Sequence, residues 1–231
     1  MRKRKVFLAK GADQVHEMFD WKDAWEKDNA VWHMDGVNST LEKHLDKITG
    51  KENKAKLFFP LCGKTLDMLH LSKMGHEVVG VEFSELAVRQ FFEENSVPCT
   101  ASSVSSMEGM LYKNDDYRIR IYCGDFFKFG SHLEKDFDGV WDRGALEAIE
   151  PKMRKTYIDI MKSILKPGAG YILDTADRPI GIGPPFFISV DEIVEHFGLK
   201  SQPEQIDYEI AEPDLQAMGC AGLFFYYFLM P

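Results

Sequence analysis

Short apolar runs recur along this chain with helix-compatible segments between them. Residues 57–61 (LFFPL), 77–82 (EVVGVE), 118–123 (RIRIYC), 137–141 (FDGVW) and 170–174 (GYILD) read as strands, while 66–74, 85–94 and 153–165 read as helices. The breaks are legible too. Gly75-His76 separates the first of these helices from the second strand, Ser84 caps the next helix, and Pro167-Gly168 stop the third. Strands separated by helical crossovers pair in parallel, with helices covering both faces of the sheet. Residues 205–211 (QIDYEIA) and 222–229 (GLFFYYFL) add two strands with no long helical pattern between them, which reads as an antiparallel pair closing the sheet. The expected fold is α/β, a doubly wound, mostly parallel seven-stranded sheet with an antiparallel last strand. Upstream, Asp20 is placed to cap a helix opening at Trp21, with Asp23 in its first turn. The polar stretch between Glu94 and Arg118 reads as a loop.

Composition narrows the possibilities. At 231 residues, with 45% hydrophobic and 28% charged residues and no linker-like stretch, the chain reads as a single domain over 20–231, behind a basic tail, 1–19, expected to be mobile. A net charge of -9 argues against nucleic acid as a partner, because binding its backbone needs clustered Lys and Arg. The opening MRKRK is followed by only four apolar residues before Lys10, so no signal peptide is expected, and no apolar run approaches the ~18 residues of a membrane span. Cys62, Cys99, Cys123 and Cys220 form no CxxC pair and read as reduced thiols of a cytoplasmic protein. Cys62 fits a small buried thiol at a strand end better than a reactive one. No cluster has metal-ligand spacing, so no metal is expected, and the protein is expected to be a monomer.

The first strand runs into the turn Pro60-Leu61-Cys62-Gly63-Lys64, where α/β proteins hold nucleotides. It has one glycine where a dinucleotide fingerprint has three. Extra glycines let the backbone approach a pyrophosphate, so their absence argues for a carrier without phosphates. Glu82 ends the second strand 19 residues beyond Gly63, where an acid can accept hydrogen bonds from a ribose diol; a solvated Glu opening the next helix is the other reading. Gly124-Asp125-Phe126 follows the third strand, placing an acid for an exocyclic adenine amine and an apolar ring for the base, although Asp is also a common loop residue. Together these positions describe a Rossmann-like adenosine crevice, and an adenosine carrier lacking phosphates is S-adenosylmethionine.

The segments FFPLCGKTLDM, GHEVVGVEFSELAV, FDGVWDRGALEAI and GPPFFISVDEIVEHFG, in this order and at compatible spacings over about 20–229, resemble the thiopurine S-methyltransferase family and its thiol, thiocyanate and halide methyltransferase relatives. The resemblance implies a class I S-adenosylmethionine-dependent methyltransferase that releases S-adenosylhomocysteine. It implies an aromatic N-terminal lid of Trp21, Trp25 and Trp32 over the cofactor, with Trp32 reaching the substrate. On a continuing helix these three would share a face, and a plain core role stays open for them. It places Leu61, Glu82, Gly124, Asp125 and Arg143 on the cofactor side. Arg143 is the candidate catalytic cation, favouring the thiolate form of a thiol, with an ion pair to Asp142 or Glu147 as its alternative. No other base is apparent, and His33 reads as a packing or capping residue. The loop 178–187 borders the acceptor pocket, offering Arg178, Pro185 and Phe186 to the substrate. Mammalian relatives carry a second substrate-side arginine near the C-terminus; no Arg follows Arg178 here, which makes Arg178 its possible replacement. The implied activity is methyl transfer to a small aromatic or heterocyclic thiol such as a thiopurine. Other soft nucleophiles (thiocyanate, halide, selenium or tellurium species) and a non-catalytic cofactor-binding module are the alternatives.

Overall fold

The computed structural model describes residues 21–50, 54–181 and 183–231. Asp20 and the tail 1–19 lie outside the described residues. The elements in chain order are α1 (Trp21–Glu26), α2 (Ser39–His44), α3 (Asp46–Thr49), β1 (Lys56–Phe59), α4 (Leu66–Lys73), β2 (Glu77–Glu82), α5 (Glu85–Glu94), β3 (Thr100–Val104), β4 (Gly109–Asn114), β5 (Ile119–Cys123), β6 (Phe137–Asp142), α6 (Arg154–Ile164), β7 (Leu165–Asp177), α7 (Val190–Phe197), β8 (Glu204–Ile210), α8 (Pro213–Ala217) and β9 (Gly222–Leu229).

The sheet order is β3-β4-β5-β2-β1-β6-β7-β9-β8. Strands β5, β2, β1, β6 and β7 run parallel, and β9 enters antiparallel between β7 and β8. The doubly wound sheet with its antiparallel last strand is therefore present. It carries two strands more than the seven expected, because residues 100–104 and 109–114 form an antiparallel hairpin beside β5 where a loop was expected. The reason is exposure: β3 (TASSV) has four exposed positions at the sheet edge, so no apolar alternation marks it.

Side chains alternate across the sheet as strand geometry requires. Leu57, Phe59, Val78, Ile119 and Ile121 pack on one face with Met68 and Leu71 of α4 and Val88 and Phe91 of α5. Phe58, Val79, Val81, Val140, Tyr171 and Leu173 take the other face with Tyr157, Ile158 and Met161 of α6 and Ile193 and Phe197 of α7. Truncating a fully buried ring such as Phe58 would cost about 3–5 kcal/mol. The helices start where their caps dictate: Thr65 accepts from the Asp67 amide, Ser84 from Ala87, and Ser189 forms a reciprocal capping box with Glu192. Two strand glycines set the close approach of α3. A Cβ on Gly139 would collide with the Ile48 carbonyl, and one on Gly170 with the Lys47 carbonyl, so α3 lies backbone-on-backbone against β6 and β7.

The chain leaves β1 toward β2 on one side and β6 on the other. This reversal of strand order opens a crevice at the carboxyl ends of the strands, where ligands of such folds sit.

Candidate active site

The turn after β1 is fixed by a side chain from the end of β2. Glu82 Oε2 accepts from the Gly63 amide at 2.8 Å and Oε1 from the Ser84 amide at 2.7 Å, while the Cys62 amide donates to the Val81 carbonyl at 2.9 Å. Leu61 and Gly63 both adopt positive φ there, 44° and 53°. Glu82 is only 7% exposed, and burial pushes its carboxyl up from the ordinary value while the Ser84, Gly63 and Phe83 amides pull it down. A carboxylate has about four acceptor sites, so these three amides leave room for a further donor. Gly63 leaves room for the lid: a Cβ there would lie 3.0 Å from the Trp25 ring.

The lid is built by a turn. Helix α1 stops at Glu26, so Trp32 does not extend its face as the i, i+11 spacing suggested. The chain reverses instead and returns Trp32 edge-on to both partners, with ring centroids 5.0 Å from Trp21 and 5.9 Å from Trp25. Arg143 secures this segment from the far side, its Nη1 donating to the Trp32 carbonyl at 2.6 Å. Its Nε faces Asp174 Oδ2 across 4.0 Å. The ion-pair partner is thus Asp174 of β7, and neither Asp142 nor Glu147. Asp142 is committed elsewhere: it accepts from the Leu146 amide at 3.0 Å, from the Tyr157 hydroxyl at 2.7 Å and from the Tyr171 hydroxyl, which pins the turn after β6.

Between the lid and the strand ends lies a cavity of about 170 Å³, lined by Trp21, Trp25, Trp32, Leu61, Glu82, Phe83, Arg143, Glu147, Pro184, Pro185, Leu215 and Met218 among others. Gly63 lines a smaller adjoining hollow that shares Trp25, Trp32, Leu61 and Arg143 with it. Seven residues expected at the site from sequence therefore meet at this cavity: Trp21, Trp25, Trp32, Leu61, Glu82, Arg143 and Pro185.

Others sit apart from it. Gly124 is beside Glu82, its amide donating to the Glu82 carbonyl at 2.9 Å, and Asp125 uses a carboxylate oxygen to cap the turn at Phe127. The Phe126 ring is 3% exposed and stacks on Tyr157, so it belongs to the core and does not line the cavity. Phe186 is half-buried beside the cavity lining, its amide held by the Glu147 carbonyl at 2.7 Å. Arg178 is 7% exposed and donates to the Pro185 carbonyl at 2.9 Å and the Met218 carbonyl at 2.8 Å. It braces two walls of the cavity and is not a cation offered into it. His33 packs on Trp25, its basicity lowered by burial, and burial pushes the Cys62 thiol well above its usual range. Both match the packing roles read from sequence.

Sequence reasoning missed Phe83, Glu147 as a cavity residue, and Asp174. Phe83, 57% exposed, was marked by its place between a strand-end acid and a helix cap. Asp174 was marked as a charged residue inside an apolar strand of the central sheet, and burial pushes it up to about 7.

Solved structures that share this fold are methyltransferases. A Burkholderia thailandensis 1,6-didemethyltoxoflavin-N1-methyltransferase, solved with 1,6-didemethyltoxoflavin and S-adenosylhomocysteine, matches with a TM-score of 0.58 at 15% identity, covering 90% of this chain and 84% of its own. A glycopeptide N-methyltransferase complexed with S-adenosylhomocysteine matches at 0.54 and 15%, covering 86% and 92%. At such identities the likeness speaks for the fold alone, and the fold is that of the class I S-adenosylmethionine-dependent methyltransferases. Sequence decides the family within that class. The family model for thiopurine S-methyltransferase matches residues 16–221, and the chain belongs to this family. Its relatives include a Danio rerio protein named "Probable thiopurine S-methyltransferase", 38% identical over 81% of this chain and 82% of its own, and the Bos taurus thiopurine S-methyltransferase, 35% identical over 80% and 77%. The chain is accordingly an S-adenosylmethionine-dependent methyltransferase, as its sequence segments suggested. The residues present fit that cofactor: Glu82 retains acceptor capacity at the strand end, and the bare Gly63 turn lies under an indole. Among the described residues no helix is long and apolar enough to cross a membrane, and no group of three or more His, Cys, Asp or Glu side chains could hold a metal ion.

Proposed function

We propose that this enzyme methylates the sulfur of a small, flat, uncharged or singly ionisable thiol, an aromatic or heterocyclic one such as a thiopurine. One observation carries this reading. Among the described residues lining the 170 Å³ cavity, Arg143 is the only cation, and apart from Glu82 and Glu147 the wall is mainly aromatic and apolar. Such a wall suits a soft planar acceptor, and a single guanidinium favours its thiolate form by lowering the thiol pKa. With Arg178 occupied by two carbonyls, nothing comparable awaits a carboxylate on the acceptor.

Bound S-adenosylmethionine supplies an electrophilic methyl group on a sulfonium. We assign Glu82 to hold the ribose hydroxyls, with the Gly63 and Ser84 amides keeping its carboxylate in place. Trp21, Trp25 and Trp32 close over the crevice and exclude water, and an indole face near the sulfonium contributes about 0.5–2 kcal/mol. Arg143, anchored to the lid through Trp32, orients the acceptor sulfur for in-line displacement. Gly124 and Asp125, at the end of β5, are assigned to the adenine side. The four free cysteines suit a reducing compartment, and we read the enzyme as a cytoplasmic monomer.

The test is transfer of isotopic methyl to a panel of acceptors. Thiopurines and thiophenols should be methylated well and mercaptobenzoates poorly. Activity confined to thiocyanate, iodide or selenium species would replace this reading, and binding of S-adenosylhomocysteine without any transfer would return a cofactor-binding module.

A further inference from the structure

We propose, resting on the methyltransferase reading above, that Glu147 is the proton acceptor of the reaction and fits the enzyme to acceptors that arrive protonated beside the reacting sulfur: neutral thiols and heterocyclic thiones with N–H next to C=S.

Glu147 lies on the short turn Leu146–Ala148 after β6, four positions beyond Arg143, with its backbone carbonyl tied to the Phe186 amide at 2.7 Å. Its side chain is 6% exposed, yet it lines the large cavity, and Oε2 has no hydrogen-bond partner. A buried carboxyl oxygen without a donor is uncommon in a folded protein. Three guanidiniums act on it without hydrogen-bonding it; each gives terminal nitrogens to other groups, and the Nε of each has no hydrogen-bond partner. Arg143 turns to Trp32 and Asp174, Arg178 to Pro185 and Met218, and Arg154 to Glu192 and the Phe187 carbonyl. The remaining charged or titratable neighbours are Asp142 and Asp174 from the sheet and Cys220 ahead of β9. A carboxylate that lines the cavity, with one oxygen held by no donor and a cation nearby to polarise the sulfur, has the arrangement of a general base.

Burial and then the charge of Asp174 raise the proton affinity of Glu147 well above the ordinary carboxylate range, with Arg143 pulling the other way. In the step, Glu147 receives the acceptor's S–H or N–H proton while the acceptor sulfur forms its bond to the methyl carbon; the bond from that carbon to the sulfonium sulfur breaks, and its electron pair stays on the leaving thioether. Carboxylate, sulfonium and neutral acceptor become carboxylic acid and two thioethers. The change neutralises two opposite charges within a mainly apolar and aromatic wall.

The test compares wild type with Glu147→Gln on pyridine-2-thione, which carries its proton, and pentafluorothiophenol, which arrives as the thiolate. The variant should lower the ratio of kcat on the thione to kcat on the thiolate about 100-fold, with Glu147→Asp restoring part of it. A second readout needs no turnover: with S-adenosylhomocysteine bound, a Glu147 carboxylate beside the thione opposes a second negative charge, so the ultraviolet spectrum of the bound thione should change to the anion at higher pH in wild type than in Glu147→Gln. Equal losses on both acceptors, or identical spectra, overturn the assignment. Wild type that methylates neither acceptor overturns the thiol reading itself, and the assignment with it.

Discussion

The guanidinium of Arg143 holds the backbone carbonyl of Trp32 at 2.6 Å, so the turn after β6 secures the tryptophan segment as well as lining the cavity. Replacing Arg143 with Ala should therefore do two things. It should lower kcat/KM by about 10- to 100-fold, the worth of a charged hydrogen bond, and it should speed tryptic cleavage after Lys22 or Lys27 in α1 and the turn behind it. Loss of activity with an unchanged cleavage rate would leave Arg143 a substrate residue only.

Glu82 joins the turns after β1 and β2 through two amides. Glu82→Ala should weaken S-adenosylhomocysteine binding by at least about 100-fold, since it removes a charged acceptor and leaves the Gly63, Ser84 and Phe83 amides without it. Calorimetric titration measures this directly, and affinity within a few-fold of wild type would remove Glu82 from the cofactor site.

Arg178 spans Pro185 and Met218. If it is a brace, Arg178→Leu raises KM for neutral and anionic thiols alike and costs about 1–3 kcal/mol of stability from two part-buried carbonyls left unpaired. A selective loss on mercaptobenzoates in the same acceptor panel would restore Arg178 as an anion-binding residue.

Asp174 is pushed up to about 7, mainly by burial, against an ordinary value of 3.8. Between these values the folded state holds a proton that the unfolded state has released, so the contribution of this group to stability is full below about pH 4 and declines as pH rises to about 7. The decline is at most about 4 kcal/mol. Asp174→Asn should flatten that part of the stability profile in urea titrations from pH 4 to 8; a profile parallel to wild type would contradict it.

Gly139 meets the Ile48 carbonyl with no room for a Cβ. Gly139→Ala should destabilise by about 1–3 kcal/mol, the range for overpacking. Urea unfolding would show it, with the folded fraction still binding S-adenosylhomocysteine.

Much of this was legible beforehand, and the exceptions have physical causes. Strands buried on both faces announce themselves as apolar runs, which is why β1, β2, β6 and β9 were readable to within two residues. The edge hairpin β3–β4 has little to bury and gave no such signal. Helix α7 was overlooked although Ser189 and Glu192 spell a capping box. Trp21, Trp25 and Trp32 were rightly grouped but for the wrong reason, because spacing along a helix and closure by a turn bring the same rings together. Arg178 could be placed on the right loop but not on a side of it. The isolation of Glu147 depends on where three arginines from separate segments point, which no local pattern encodes.

The Arg178 brace also bears on how such an enzyme can change its diet. One guanidinium bolts Pro185 to Met218, so an insertion in either segment would have to keep two carbonyls within reach of the same side chain. The spacing of these walls is thereby fixed as a unit, and new acceptors are reached most easily by exchanging the side chains that decorate it, Leu215 and Met218 first.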